Sequence, residues 1–260
     1  MKIQARTTHR FFIFALAALV SASAYAAEIP YPDLINKAGR QRMLSQRIVK
    51  AYLQLGANVL PEQGRQVLNE SMKTFEQQLA DLKQADLPAN VDAAIEKEEQ
   101  QWKAFRELVS GPVTQVTARK LQSQSDSLLA TANEVTLALQ DAYGQPSGKF
   151  VNLAGRQRML SQMLSRQYLA KFWGVTQADG DKVIQEARGE FNRNLTQLSA
   201  TPNLSNTLKQ QLDLASQQWV FLDMALTQPH NAGNAQNVVS TSERILEVLD
   251  NVTQRFEKSK

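Results

Sequence analysis

The sequence of 260 residues contains no cysteine, which excludes disulfides, thiolate zinc sites and thiol nucleophiles. Histidine is nearly as scarce, with only two residues, His9 and His230. His230 sits in a turn-like Gln228-Pro229-His230-Asn231 stretch, too little for a His-based catalytic triad or a multi-histidine metal site. No Glu-x-x-His motif is present for a carboxylate metal centre in a helical bundle, and no glycine loop is built to cradle phosphates. The only long apolar run is Phe11–Val20, too short to span a bilayer comfortably. These absences argue against an enzyme, a metal or other cofactor, and a membrane-spanning chain.

The excess of positive charge is also shallow. The formal net charge is +4 and the pI near 9.3, but three bases, Lys2, Arg6 and Arg10, precede the apolar run with no acid among them. Ala24-Tyr25-Ala26 then supplies an A-x-A cleavage pattern. Residues 1–26 therefore read as a cleaved secretory signal peptide, and a bacterial periplasmic destination is expected. The remaining 234 residues carry 26 bases against 25 acids, a net +1, so a nucleic-acid partner loses its electrostatic support.

An internal repeat dominates what remains. Asn36-Lys-Ala-Gly-Arg-Gln-Arg-Met-Leu-Ser-Gln46 recurs as Asn152-Leu-Ala-Gly-Arg-Gln-Arg-Met-Leu-Ser-Gln162, with ten of eleven positions identical at an offset of 116. The offset continues through Tyr52/Tyr168, Phe75/Phe191, Leu79/Leu195 and Leu82/Leu198. It becomes 117 at Trp102/Trp219, Pro112/Pro229 and Val135-Thr136/Val252-Thr253. Half of 234 is also 117, so the chain reads as two copies of one unit, residues 27–144 and 145–260. Stretches rich in Ala, Leu, Gln, Glu and Lys follow a 3.6-residue period rather than alternation. Proline and glycine clusters divide each copy into four helices, near 33–58, 62–86, 90–110 and 114–142, then 148–173, 177–199, 204–227 and 234–257. The expected fold class is all-α: two tandem antiparallel four-helix bundles, each about 37 Å long for helices of roughly 25 residues. Phe75, Leu79, Leu82, Trp102, Phe105, Leu128, Leu129, Val135 and Leu139 recur at core spacing.

Packing alone does not demand ten identities in eleven positions, and the motif's polar residues need a reason. On a helical wheel Arg42 shares its row with Ile35, Ala38, Val49 and Leu53, inside the apolar arc. Arg158 lies among Val151, Ala154, Ser165 and Leu169. Arg40 falls with Asn36, Lys37, Met43 and Arg47 and is expected to face water. A guanidinium on an apolar face requires a counter-charge. One solution is a carboxylate from a neighbouring helix, with Asp141, Glu134 and Asp250 as candidates; the other is an exogenous oxyanion suited to the planar fork of N–H donors. Gly39 and Gly155, three residues before the arginines, thin the helix beside each guanidinium for either a ligand or another helix.

The pattern Asn-Lys-Ala-Gly-x-x-Arg-Met-x-Ser resembles the P-box in the first helix of NarX-type nitrate/nitrite sensor kinases. It is similar also to the PilJ-type N-terminal domain of type IV pilus chemotaxis transducers. In the nitrate sensors, the resemblance implies, the Arg of Gly-x-x-Arg-Met binds the anion where the first helices of two subunits meet. By position that role falls to Arg42 and Arg158, with Gly39, Gly155, Ser45 and Ser161 completing the candidate ligand set. Arg40-Gln41 and Leu44 depart from the nitrate-sensor residues. The expected function is a soluble periplasmic binding or sensory module for a small anion such as nitrate or nitrite. Output would pass through a separate membrane chemoreceptor or histidine kinase. The chain would act as a monomeric pseudo-dimer or a homodimer, with helix 33–58 beside helix 148–173 and Arg42 facing Arg158. The alternative is a helical scaffold without a small ligand, in which the motif is a packing seam and each arginine meets a carboxylate.

Overall fold

A computed structural model describes residues 31–258; the expected signal peptide lies outside them. Among the described residues there are eight helices: α1 (Tyr31–Gly56), α2 (Pro61–Gln84), α3 (Ala89–Val109), α4 (Gln115–Tyr143), α5 (Pro146–Trp173), α6 (Gly180–Ser199), α7 (Asn206–Leu226) and α8 (Ala232–Lys258). None is long and apolar enough to cross a membrane. The expected boundaries hold to within a few residues. Local chemistry explains why the chain breaks where it does. Pro61 and Pro146 open α2 and α5, where the missing N–H costs nothing. The side chains of Thr114 and Ser205 cap α4 and α7 by accepting from Thr117 N and Leu208 N. Gly144, at φ 65°, ends α4, and a link of two residues turns the chain into α5.

Within each copy the first helix packs against the second and the fourth, and the third packs on the fourth. The duplication is visible in detail. Phe75 stacks on Trp102 at 4.1 Å between ring centroids, and Phe191 on Trp219 at 4.0 Å. Tyr52 Oη donates to Pro112 O at 2.7 Å, and Tyr168 Oη to Pro229 O at 2.8 Å. The two bundles join through α1 and α5, which lie side by side and parallel, cross at Gly39 and Gly155, and make the most extensive helix pairing in the molecule.

That pairing puts α1 and α5 at the centre, covered on all sides. A helix buried all round is ordinarily apolar all round. These two are not: Gln41, Arg42, Ser45, Gln46, Lys50 and Gln54 are buried on α1, and Gln157, Arg158, Ser161, Gln162, Ser165, Arg166 and Gln167 on α5. Their polar atoms need partners inside the protein. The amide nitrogens of two motif glutamines find theirs on the flanking helices, Gln41 Nε2 donating to Phe75 O at 3.0 Å and Gln157 Nε2 to Phe191 O at 2.9 Å.

Two glycines with opposite surroundings give a packing test. A Cβ on Gly56 would stand 2.1 Å from the Trp173 ring, at the C-terminal end of the α1–α5 pair. A Cβ on Gly189, in α6, would meet only the flexible end of Arg193 at 3.2 Å. In thermal unfolding, Gly56→Ala is expected to lose roughly 1–3 kcal/mol through overpacking. Gly189→Ala should gain up to about 1 kcal/mol from helix propensity.

Candidate functional site

The repeated motif brings its two arginines together where α1 crosses α5. An ideal Cβ on Gly39 would lie 3.3 Å from Arg42 Nη2 and 3.9 Å from Arg158 Nη2. On Gly155 the distances are 3.2 Å to Arg158 Nη2 and 3.6 Å to Arg42 Nη2, with Gly39 Cα at 3.9 Å. A Cβ at either position would press on the guanidinium of its own helix and touch that of the other, so the glycines serve close approach of helix to helix and of guanidinium to helix. Each arginine reaches across the seam to the first residue of the other copy's motif. Arg42 Nη2 donates to Asn152 Oδ1 at 2.7 Å and Asn152 O at 3.2 Å; Arg158 Nη2 donates to Asn36 Oδ1 at 2.7 Å and Asn36 O at 3.4 Å. Arg42 is 1% exposed and Arg158 fully buried.

The pseudo-symmetry fails at the next shell of contacts. Arg42 Nη1 donates to the neutral amide oxygen of Asn133, on α4, at 2.9 Å. Arg158 Nη1 donates to a carboxylate, Asp250 on α8, at 2.6 Å. Asn133 and Asp250 occupy equivalent places, 117 residues apart. The asparagines are held the same way: Asn152 Nδ2 donates to Gln140 Oε1 at 2.8 Å, and Asn36 Nδ2 donates to the Glu257 carboxylate, again equivalent positions. Thus α4 presents two amides to its side of the seam and α8 presents two carboxylates to the other.

The electrostatics follow. Burial pulls the Arg42 guanidinium down to about 9, the charges of Arg156 and Arg158 push the same way, and only Glu190 opposes them. Burial also lowers Arg158, but Asp250 and Glu257 counter it. Nε of both arginines is buried without a hydrogen-bond partner. Ser45 and Ser161 are buried and donate to Arg42 O and Arg158 O of their own helices, each at 2.8 Å. They brace the turn that carries the guanidinium and accept from Gln46 Nε2 and Gln162 Nε2.

Of the three carboxylates proposed for Arg42 and Arg158, Asp250 makes the contact, and with Arg158 but not Arg42. Glu134 pairs with Lys97 at 2.8 Å, and Asp141 is exposed. Arg40 corrects the expectation that it faces water: it is half-buried and donates to Asp250 Oδ1 at 3.0 Å. The helical wheel described α1 alone, whereas α8 packs across its polar side. Arg156, its equivalent, pairs with Glu190 on α6 instead. The sequence reading also missed a second polar layer further along the seam. Lys50, fully buried on α1, pairs with Glu243 and bonds Ser242 on α8. Arg166, its equivalent on α5, pairs with Asp126 at 3.1 Å and with Ser125 on α4. The available signal was a base at the same place in both copies, set among apolar residues. These crossed pairs tie each central helix to the last helix of the other bundle.

Among the described residues no group of three or more His, Cys, Asp or Glu is placed to hold a metal ion. The paired guanidiniums present the N–H donor forks that an oxyanion fits.

Two segments, residues 33–135 and 142–245, match the family model described as the type IV pili methyl-accepting chemotaxis transducer N-terminus, PilJ. The chain belongs to the PilJ family. It carries the domain twice, so the internal duplication is a duplication of a sensory domain of signalling proteins rather than of an enzyme. The chain is 31% identical over 134 residues to the methyl-accepting chemotaxis protein McpN of Pseudomonas aeruginosa, covering 47% of this chain and 25% of that protein. It therefore spans about a quarter of that relative's length. No solved structure matches the chain.

Two ionisable groups, one half-buried and one buried, set expectations for pH and mutation in this PilJ protein. Glu243 is held down at about 2; burial opposes its ionisation, but Lys50 and Arg47 outweigh that. Its stabilisation is complete above the ordinary carboxylate value of 4.5 and is lost as pH falls through about 2. Glu243→Gln strands the Lys50 ammonium and is expected to cost roughly 3–5 kcal/mol. Lys50→Met should cost less, because Glu243 keeps Arg47; denaturant unfolding of both variants checks the order.

Glu98, on α3, behaves oppositely. Both carboxyl oxygens are buried without a partner, and burial pushes the group up to about 8. Its equivalent in the second copy is Ala215. The folded protein holds the proton that the unfolded chain releases above 4.5, so stability falls as pH rises from 4.5 to about 8. The slope is about 1.4 kcal/mol per pH unit. In Glu98→Gln this part of the pH dependence of unfolding should vanish.

Proposed function

We propose that this PilJ protein is a periplasmic sensory module that binds a small oxyanion, nitrate or nitrite in the first instance, between Arg42 and Arg158. The observation that carries the reading is the pair of buried guanidiniums at the Gly39–Gly155 crossing, whose hydrogen-bond acceptors are mostly neutral amide oxygens. An amide oxygen satisfies an N–H donor but does not neutralise a guanidinium, and two such cations side by side repel each other. An oxyanion bonding to the forks of Arg42 and Arg158 supplies both the acceptors and the charge.

Asn36, Asn133 and Asn152 would yield their places on the guanidiniums to the anion. Because Asn36 and Asn152 lie on opposite central helices, and Asn133 on α4, the exchange alters contacts that set how the two bundles meet. That change is the signal. The resemblance to chemotaxis transducers points to a membrane chemoreceptor as the reader of the occupied form, and the leader-like residues 1–26 point to the periplasm. In this arrangement one chain reproduces the two-fold environment that a sensor dimer would build from two subunits.

One observation favours the scaffold reading: Asp250 already neutralises Arg158. That reading demands a carboxylate at both arginines, and Arg42 contacts Asn133 instead.

Thermal unfolding with nitrate, nitrite, sulfate, phosphate and chloride separates the two. Anion at a hundred times its dissociation constant should add ~2.7 kcal/mol, a rise of several degrees at this size. The expected rise is selective for nitrate or nitrite and disappears in Arg42→Gln. No selective rise with any anion would favour the scaffold.

A further inference from the structure

Four guanidiniums of the repeated motif, Arg40, Arg42, Arg156 and Arg158, gather around the crossing, but their carboxylates are distributed unevenly. Asp250 accepts from both Arg158 and Arg40, and Glu257 stands behind Asn36 on the same side. Arg156 has its own partner in Glu190. Arg42 alone of the four has no carboxylate in contact; its acceptors are Asn133 and Asn152, and Asn152 is braced by Gln140. Four positive charges against Asp250, Glu257 and Glu190 leave one uncompensated, and it resides on a guanidinium 1% exposed.

The two copies differ here by isosteric exchanges, Asn133 for Asp250 and Gln140 for Glu257. Shape is preserved and charge is not. A surface cleft of about 420 Å³ does reach the α8 side, lined by Arg40, Arg47, Glu243 and Asp250 among others. An anion entering there meets Asp250 before Arg158.

We infer that the tandem chain takes a single monovalent oxyanion, seated on the α4 side of the seam at Arg42 in the place that Asn133 and Asn152 yield, while Asp250 and Glu257 act as built-in counter-anions that close the Arg158 side. This rests on the anion-binding reading above and refines it: the two arginines are not equal, the stoichiometry is one per chain, and divalent anions are excluded by charge. Asn133 and Asp250 determine the specificity, the first by being neutral and the second by being charged.

The test uses residues 27–260, with sodium nitrate and sodium nitrite as the probes and sodium sulfate and chloride at matched ionic strength as controls, in isothermal titration and thermal unfolding. The wild-type chain is expected to bind one nitrate and to ignore sulfate. Asn133→Asp supplies Arg42 with a carboxylate of the same shape and should weaken nitrate at least about tenfold while raising the melting temperature of the anion-free protein. Asp250→Asn should tighten nitrate by about tenfold and create a response to sulfate. Nitrate binding unchanged in Asn133→Asp, or two nitrates per wild-type chain, would overturn this inference and leave the anion site standing. A wild-type chain silent to nitrate, nitrite and sulfate alike overturns both. Should Asn133→Asp fail to fold, Asp250→Asn decides alone, and an anion response identical to wild type counts against the proposal.

Discussion

Two arginines buried side by side between two parallel helices are the constraint around which this molecule is arranged. Removing a guanidinium from water is costly unless every donor finds an acceptor and the charge finds a partner. Here the acceptors are the asparagines at the head of each motif, offered across the seam by the opposite helix. Neither bundle satisfies its own arginine alone, since Arg42 also needs Asn152 and Arg158 also needs Asn36. The two copies are thus bound by reciprocal need. The glycines at the crossing matter because only there can two backbones and two guanidiniums share so small a space.

The second polar layer extends the same principle. Lys50 with Glu243, and Arg166 with Asp126, link each central helix to the last helix of the other unit. Together with the arginine layer they define one register of α1 against α5, because a sliding of one turn would bury unpaired charge. Apolar residues along the seam supply adhesion, and the buried polar pairs supply specificity of register. A sensory domain profits from that division. A seam set by a few discrete polar contacts has discrete alternatives, so a ligand that changes one contact set can shift the helices between defined arrangements rather than blur them.

Duplication within one chain also frees the two halves to differ, which a homodimer's sites cannot do. The apolar cores keep the same packing in both halves, as the matched Phe–Trp stacks show. The differences that matter are few and carry charge: Asn133 against Asp250, Gln140 against Glu257, Thr74 against Glu190, Glu98 against Ala215. Each alters the electrostatics of a buried place while keeping the helices where they were.

Much of this was legible in the residues. The repeat offset, the 3.6-residue period and the proline and glycine breaks specify eight helices in two units, since helix formation is governed by neighbours within a few positions along the chain. The wheel placed Arg42 and Arg158 in the apolar arc, and the motif drew attention to the glycines beside them. Arg40 was misplaced for an instructive reason: a wheel knows the faces of its own helix and not which other helix covers them. Whether Asp250, Glu134 or Asp141 would answer the arginines, and that one arginine would receive an amide where its twin receives a carboxylate, was settled only when α4 and α8 packed on opposite sides of the α1–α5 pair. Local periodicity is written in sequence over one or two turns. The charge balance of a buried seam joins residues tens to hundreds of positions apart, and only the tertiary structure brings them within reach of each other.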